Sequence, residues 1–264
     1  MNRFFVVIVL ILLANTLLFG QEMIEKADNL YEKRGDTFDV RTMVADSANI
    51  NAAIDVLQKI AAEKSGAEKE EALWKLLQAI YFKGYYTTTN STLKKKIYDQ
   101  GKNIGEQALK EFPESAGINL FLAIIWGVWS EEYGIINAAK KGVAGKVRSL
   151  CEKSIAIDPK FDDAGAYRVL GRVYFKSPKI PLILGWPSKE KAIAFLEKSL
   201  EIAPDNLATR QFLAEALYSV DQKERAITIM KDILATEYVQ EGVVEDMVRK
   251  REVKETLAEW GVSK

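Results

Sequence analysis

The sequence predicts an all-α fold: a superhelix, or solenoid, of stacked antiparallel helix pairs with long insertions between the paired helices. Three observations point there. Ala, Leu, Lys and Glu, the strong helix formers, dominate the 264 residues, and Pro occurs only 6 times. A pattern of large and small residues recurs at helical spacing along the chain. Excursions rich in Gly, Pro, Thr and Asn fall inside successive pairs at corresponding places.

The clearest unit reads Tyr167-x-x-Leu170-Gly171-x-x-Tyr174, then Ala192-x-x-x-Leu196, then Pro204. This is the tetratricopeptide pattern of aromatic, Leu, Gly, Tyr, Ala, Leu and Pro. Ala192 to Pro204 is 12 residues, as the repeat requires. Gly171 to Ala192 is 21, against roughly 12 in the standard unit. The excess falls in Ser177–Ser188, where Pro178, Pro181, Gly185 and Pro187 mark a loop.

The next unit carries no insertion: Arg210, Leu213, Ala214, Leu217, Ala226, Met230 and Ile233 stand at the spacings of one pair, with Asp221-Gln222-Lys223 as its turn. Small residues such as Gly171, Ala192, Ala214 and Ala226 let antiparallel helices approach closely. Toward the N-terminus, Leu122, Ala123 and Trp126 open another unit that Pro159 ends, with an excursion over Trp129–Gly145. Before it, Trp74-x-x-Leu77-Gln78-x-x-Tyr81 pairs with a helix carrying Gly101, Gly105 and Ala108, and the excursion is Gly84–Lys96. A divergent pair is expected at Met23–Lys33 and Ala48–Ala62. Glu241–Trp260 is expected to be one amphipathic helix capping the apolar end of the solenoid.

Residues 1–20 resemble an export signal: Arg3, an apolar run from Phe4 to Ala14, then a polar boundary after Gly20. The run is short for a membrane span, which needs about 20 residues; a cleaved signal and an uncleaved anchor both stay open. Residues 21–264 then form a single repeat domain, placed in the periplasm or otherwise outside the cytoplasm.

Composition removes several function classes. There are no histidines, so Ser-His-Asp and Cys-His catalysis and the usual zinc sites are out of reach. The one cysteine, Cys151, lies in an apolar helical pattern and reads as a core residue. Lys plus Arg equals Asp plus Glu at 37 each, which argues against nucleic-acid binding. Gly142-Val-Ala-Gly-Lys146-Val147 lacks the spacing and final Ser/Thr of a phosphate loop. Asp158, Asp162 and Asp163 sit at a repeat junction, where they are expected to cap a helix. The expectation is a non-enzymatic protein without cofactor or metal.

In such a superhelix the first helix of each pair lines the concave face. Residues spaced by four share a helix face, and they give the groove candidates: Lys75 and Lys83 in one unit, Arg168, Arg172 and Lys176 in another, Gln211 and Tyr218 in the next. The unit between contributes an apolar stretch, Leu120, Ile124 and Val128, with Trp126 and Trp129 nearby. Arg168 and Arg172 could fork onto carboxylates; the alternative is that they pair with Glu or Asp on neighbouring helices.

The runs Glu114–Gly127, Gly165–Tyr174, Ala72-Leu73-Trp74 through Tyr81 and Ala27-Asp28-Asn29-Leu30-Tyr31 resemble the T component of tripartite ATP-independent periplasmic (TRAP) transporters over nearly the whole chain after residue 20. The resemblance implies a trimeric, non-catalytic helical-repeat protein with a pore or cleft in each protomer. It would associate with the periplasmic solute-binding protein of a TRAP uptake system and take a small organic acid or hydrophobic ligand. The lipid-bearing cysteine typical of that family is absent. The rival reading is a tetratricopeptide scaffold for an envelope assembly with no small-molecule ligand.

Overall fold

The computed structural model describes residues 21–178, 186–237 and 242–262. The expected signal over residues 1–20 lies outside them. Residues 21–32 are helical (α1), followed by a short hairpin in which β1 (Phe38–Asp39) pairs antiparallel with β2 (Val44–Ala45). Then come α2 (Ala48–Glu63), α3 (Gly66–Tyr86), α4 (Ser91–Glu111), α5 (Ala116–Tyr133), α6 (Ile135–Lys140), α7 (Val143–Ile157), α8 (Phe161–Lys176), α9 (Lys189–Ile202), α10 (Leu207–Tyr218), α11 (Lys223–Ala235) and α12 (Val243–Glu259).

The pairs are α3/α4, α5/α7, α8/α9 and α10/α11, and α3·α5, α5·α8 and α8·α10 contacts stack the first helices side by side. This is the all-α, tetratricopeptide-like superhelix that the repeat pattern predicts. Helix starts are written locally: the side chains of Asn90, Ser115, Ser188 and Asn206 accept from the backbone N–H three residues on. Each such cap contributes about 1 kcal/mol.

Small residues hold the pairs together. A Cβ on Gly171 would stand 2.6 Å from Leu196 Cγ and 3.1 Å from the Ala192 carbonyl oxygen, so only glycine permits the α8–α9 approach. Leu170, Ala192 and Leu196 are at most 1% exposed there. Ala214, Ala226, Met230 and Ile233 are fully buried between α10 and α11. Cys151 is a buried free thiol, and burial raises its pKa, which keeps it protonated.

Two excursions differ from expectation. Gly84–Lys96 is not an open insertion: α3 runs to Tyr86 and α4 begins at Ser91. The added residues lengthen both helices, because Phe82, Tyr85 and Tyr86 keep helical spacing and the Tyr86 ring packs at a tilt against the other two. In Trp129–Gly145, α5 continues through Trp129 to Tyr133, and the short α6 and the first residues of α7 follow. Asp158, not Asp162 or Asp163, supplies the junction's side-chain acceptor, bonding the Lys160 N–H. Pro181 and Gly185 of the third excursion lie outside the described residues.

The C-terminal helix does more than cap. It packs on α10 and α11, and it also reaches the N-terminal end. Arg34 Nη2 lies 2.9 Å from Glu245 Oε1, and Val244 lies against Gly35. Tyr85 on α3 donates to Glu252 at 3.0 Å. Helix α12 therefore spans the mouth of the superhelix.

Candidate functional site

The first helices and α12 line a half-open cavity of about 1530 Å³. Ligand pockets typically measure about 300–1,000 Å³, so this one suits something longer than a common metabolite. Helix α5 contributes a stripe, Phe121, Ile124 and Val128, that ends in Glu131. Helix α3 contributes Gln78, Tyr81 and Tyr85, and Gly134, Asn137 and Ala138 form part of the rim at α6.

Of the residues singled out from sequence, Arg168, Arg172, Lys176, Gln211 and Tyr218 line this cavity, as do Ile124 and Val128. Lys75, Lys83, Trp126 and Trp129 do not. Lys75 Nζ pairs with Asp28 at 2.6 Å and Glu71 at 3.2 Å, which ties α3 to α1. Lys83 is half-buried off the wall. The wall of α3 is rotated by one position, because Ala79, on the predicted face, is fully buried in the core. Trp126 and Trp129 are core residues, 5% and 2% exposed; Trp129 donates to Asp99 at 2.8 Å. Lys102 lies over both rings.

The basic residues of the wall are already occupied. Arg172 donates to Glu215 at 2.6 Å, with Lys176 at 3.5 Å from the same oxygen. Arg168 lies 3.3 Å from Asp162, and its Nη1 is covered by protein and has no partner. Asp162 sits on a first turn of α8 in which residues 162–164 take left-handed φ of 50–58°, a strained conformation of the kind that gathers at functional sites. Burial raises the Asp162 pKa although Arg168 opposes it. Burial acts the same way on Glu215, but Arg172, Lys176 and Gln211 outweigh it and hold that carboxyl below the usual range.

The aromatic wall was not legible as a unit from sequence. Arg249 of α12 enters it, bonding Gln211 at 3.1 Å and Glu252 at 2.8 Å and lying over the Phe212 ring at 5.2 Å. Trp260 stacks on Tyr218 with centroids 3.8 Å apart, and both line the cavity. The aromatic spacing of Tyr81 and Tyr85 was the one available signal; the arrival of α12 had none. Among the described residues no three His, Cys, Asp or Glu side chains stand together as metal ligands would. None of the described helices is long and apolar enough to cross a membrane.

Stacked helix pairs around a lined cavity define a tetratricopeptide-like protein. The fold agrees with a solved structure: TTC0263, a thermophilic TPR protein of Thermus thermophilus, superposes with a TM-score of 0.56 over 91% of this chain and 97% of that one at 17% identity. Residues 23–261 match the family described as Regulator of microtubule dynamics protein 1-3, and the chain belongs to it. Regulator of microtubule dynamics protein 3 of Rattus norvegicus and of Mus musculus are each 28% identical over 163 residues, 62% of this chain. The chain spans about a third of the length of these relatives. The family matched is not the TRAP T component. Leu170, Gly171 and Tyr174, which stand in one of the runs that carried that resemblance, are residues that close-packed helix pairs of this kind use in general.

Proposed function

We propose that the chain is a non-catalytic tetratricopeptide-like binding protein that takes an elongated, largely apolar molecule into its central cavity. The observation that carries the reading is the cavity itself: about 1530 Å³, walled by Phe121, Ile124, Val128, Val173 and Phe212, with polar groups at intervals. A solenoid acting only as a scaffold would need an open concave groove, whereas here α12 lies across it. Binding of decanol, followed by calorimetry, tests this. Val128→Trp would intrude on the apolar stripe of α5 and is expected to weaken binding at least tenfold, with the fold retained by circular dichroism. Equal binding by the variant would place the ligand elsewhere.

The relatives are named as regulators of microtubule dynamics, and with only about a third of their length shared, the common part is taken to be the repeat domain and not that activity. A finer reading rests on sequence alone: placement outside the cytoplasm on the signal pattern of residues 1–20, and association with a TRAP solute-binding protein on the family resemblance. An alkaline-phosphatase fusion to residues 1–20 reports the first. Pull-down from envelope extracts reports the second, and failure to recover any solute-binding protein rejects it.

A further inference from the structure

The sequence marks Arg168, Arg172 and Lys176 as a handle for an acidic ligand; the cavity's charge has the opposite sense. Eight Asp or Glu side chains line it against four Lys or Arg. All four bases pair with carboxylates of the same wall: Arg168 with Asp162, Arg172 and Lys176 with Glu215, and Arg249 with Glu252. The unpartnered Arg168 Nη1 is covered by protein, so it faces no ligand. Two further acids are paired from outside the wall, Glu245 by Arg34 and Glu255 by Arg251.

Glu131 and Glu259 are the acids of the wall to which no hydrogen bond or ion pair belongs among the described residues, and of the two only Glu131 adjoins the apolar stripe of α5. Glu131 lines the cavity at the end of the Phe121–Ile124–Val128 stripe. The charges that act on it are those of Arg172 and Lys176, both engaged by Glu215, and of Glu252 and Glu132. Its side chain is exposed to the cavity, desolvation raises its pKa in spite of those two bases, and each base of the wall is already engaged by another carboxylate. The protein's own Arg249 shows how this wall receives a cation: carboxylate and amide oxygens hold the guanidinium, and an aromatic face lies beside it.

Resting on the ligand-cavity reading above, we propose that the cavity selects amphiphiles with a cationic head, an ammonium or guanidinium on an apolar body. The body lies along Phe121, Ile124 and Val128, and Glu131 is the counter-ion of the head.

Calorimetric titration of the full chain with decyltrimethylammonium, decanoate and decanol, all below micellar concentration, tests it. The cation is expected to bind at least tenfold tighter than decanoate. Glu131→Gln is expected to weaken the cation about tenfold and leave decanol unchanged. Because the Glu131 side chain bonds to no described residue, the variant should keep the parent's fold by circular dichroism. Glu131→Lys should turn the preference toward decanoate. Decanoate binding as tightly as the cation, or a Gln variant that binds the cation undiminished, overturns the inference while decanol binding leaves the cavity reading standing. Failure of all three probes to bind overturns both.

Discussion

At the scale of single residues, the Arg172–Glu215 pair decides how the cavity wall behaves. The two side chains are 23% and 12% exposed, so removing one strands the other in poor solvent. Arg172→Ala is expected to destabilise the fold by about 2 kcal/mol, within the cost of an unpaired buried polar group; the urea midpoint measures it. Lys176 stays near Glu215 and limits the loss. Titration separates the carboxylates by sign. The folded-state pKa of Glu215 lies below its unfolded value, so its contribution is present above the unfolded pKa and is lost as pH falls through the folded one. For Glu131 and Asp162 the folded pKa is raised. Ionising them costs stability, which falls as pH rises from the usual carboxylate range through the raised values. Melting temperatures across a pH series should therefore show that Glu131→Gln loses less stability than the parent over that rise. An identical profile would put Glu131 in ordinary solvent.

At the scale of elements, close approach governs. Gly171→Val would force a side chain into Leu196 and the Ala192 carbonyl, parting α8 from α9 at a cost of about 1–3 kcal/mol. Thermal melts test this, and Leu196→Ala in the same chain should recover part of the loss. The helix pairs were readable because spacing and small residues are local: Leu170, Gly171 and Ala192 announce their contact in one dimension. The faces of α8 and α10 were readable for the same reason, since the repeat fixes which side is concave. On α3 the same rule put Lys75 and Lys83 one position off, because Ala79 turns into the core and Asp28 of α1 draws Lys75 aside. The excursion at Gly84–Lys96 misled because Gly and Thr advertise a loop, while the tyrosines beside them continue the helix. The Arg172–Glu215 pair joins two helices, so no run of sequence displays it, whereas Arg168–Asp162 and Arg249–Glu252 each lie within one helix.

At the scale of the whole molecule, a solenoid normally touches itself only between neighbours. Helix α12 breaks that rule by meeting Arg34 and Gly35 at the other end of the chain's fold. Arg34→Ala is expected to lower the protection of α12 amides in hydrogen exchange; protection unchanged from the parent would mean that α10 and α11 alone hold the helix. An open array frays from its tips, each unit releasing in turn. A hoop clasped at Arg34–Glu245 has no tip to start from, so loosening either terminus should be felt at the other, and the chain should melt in one cooperative step.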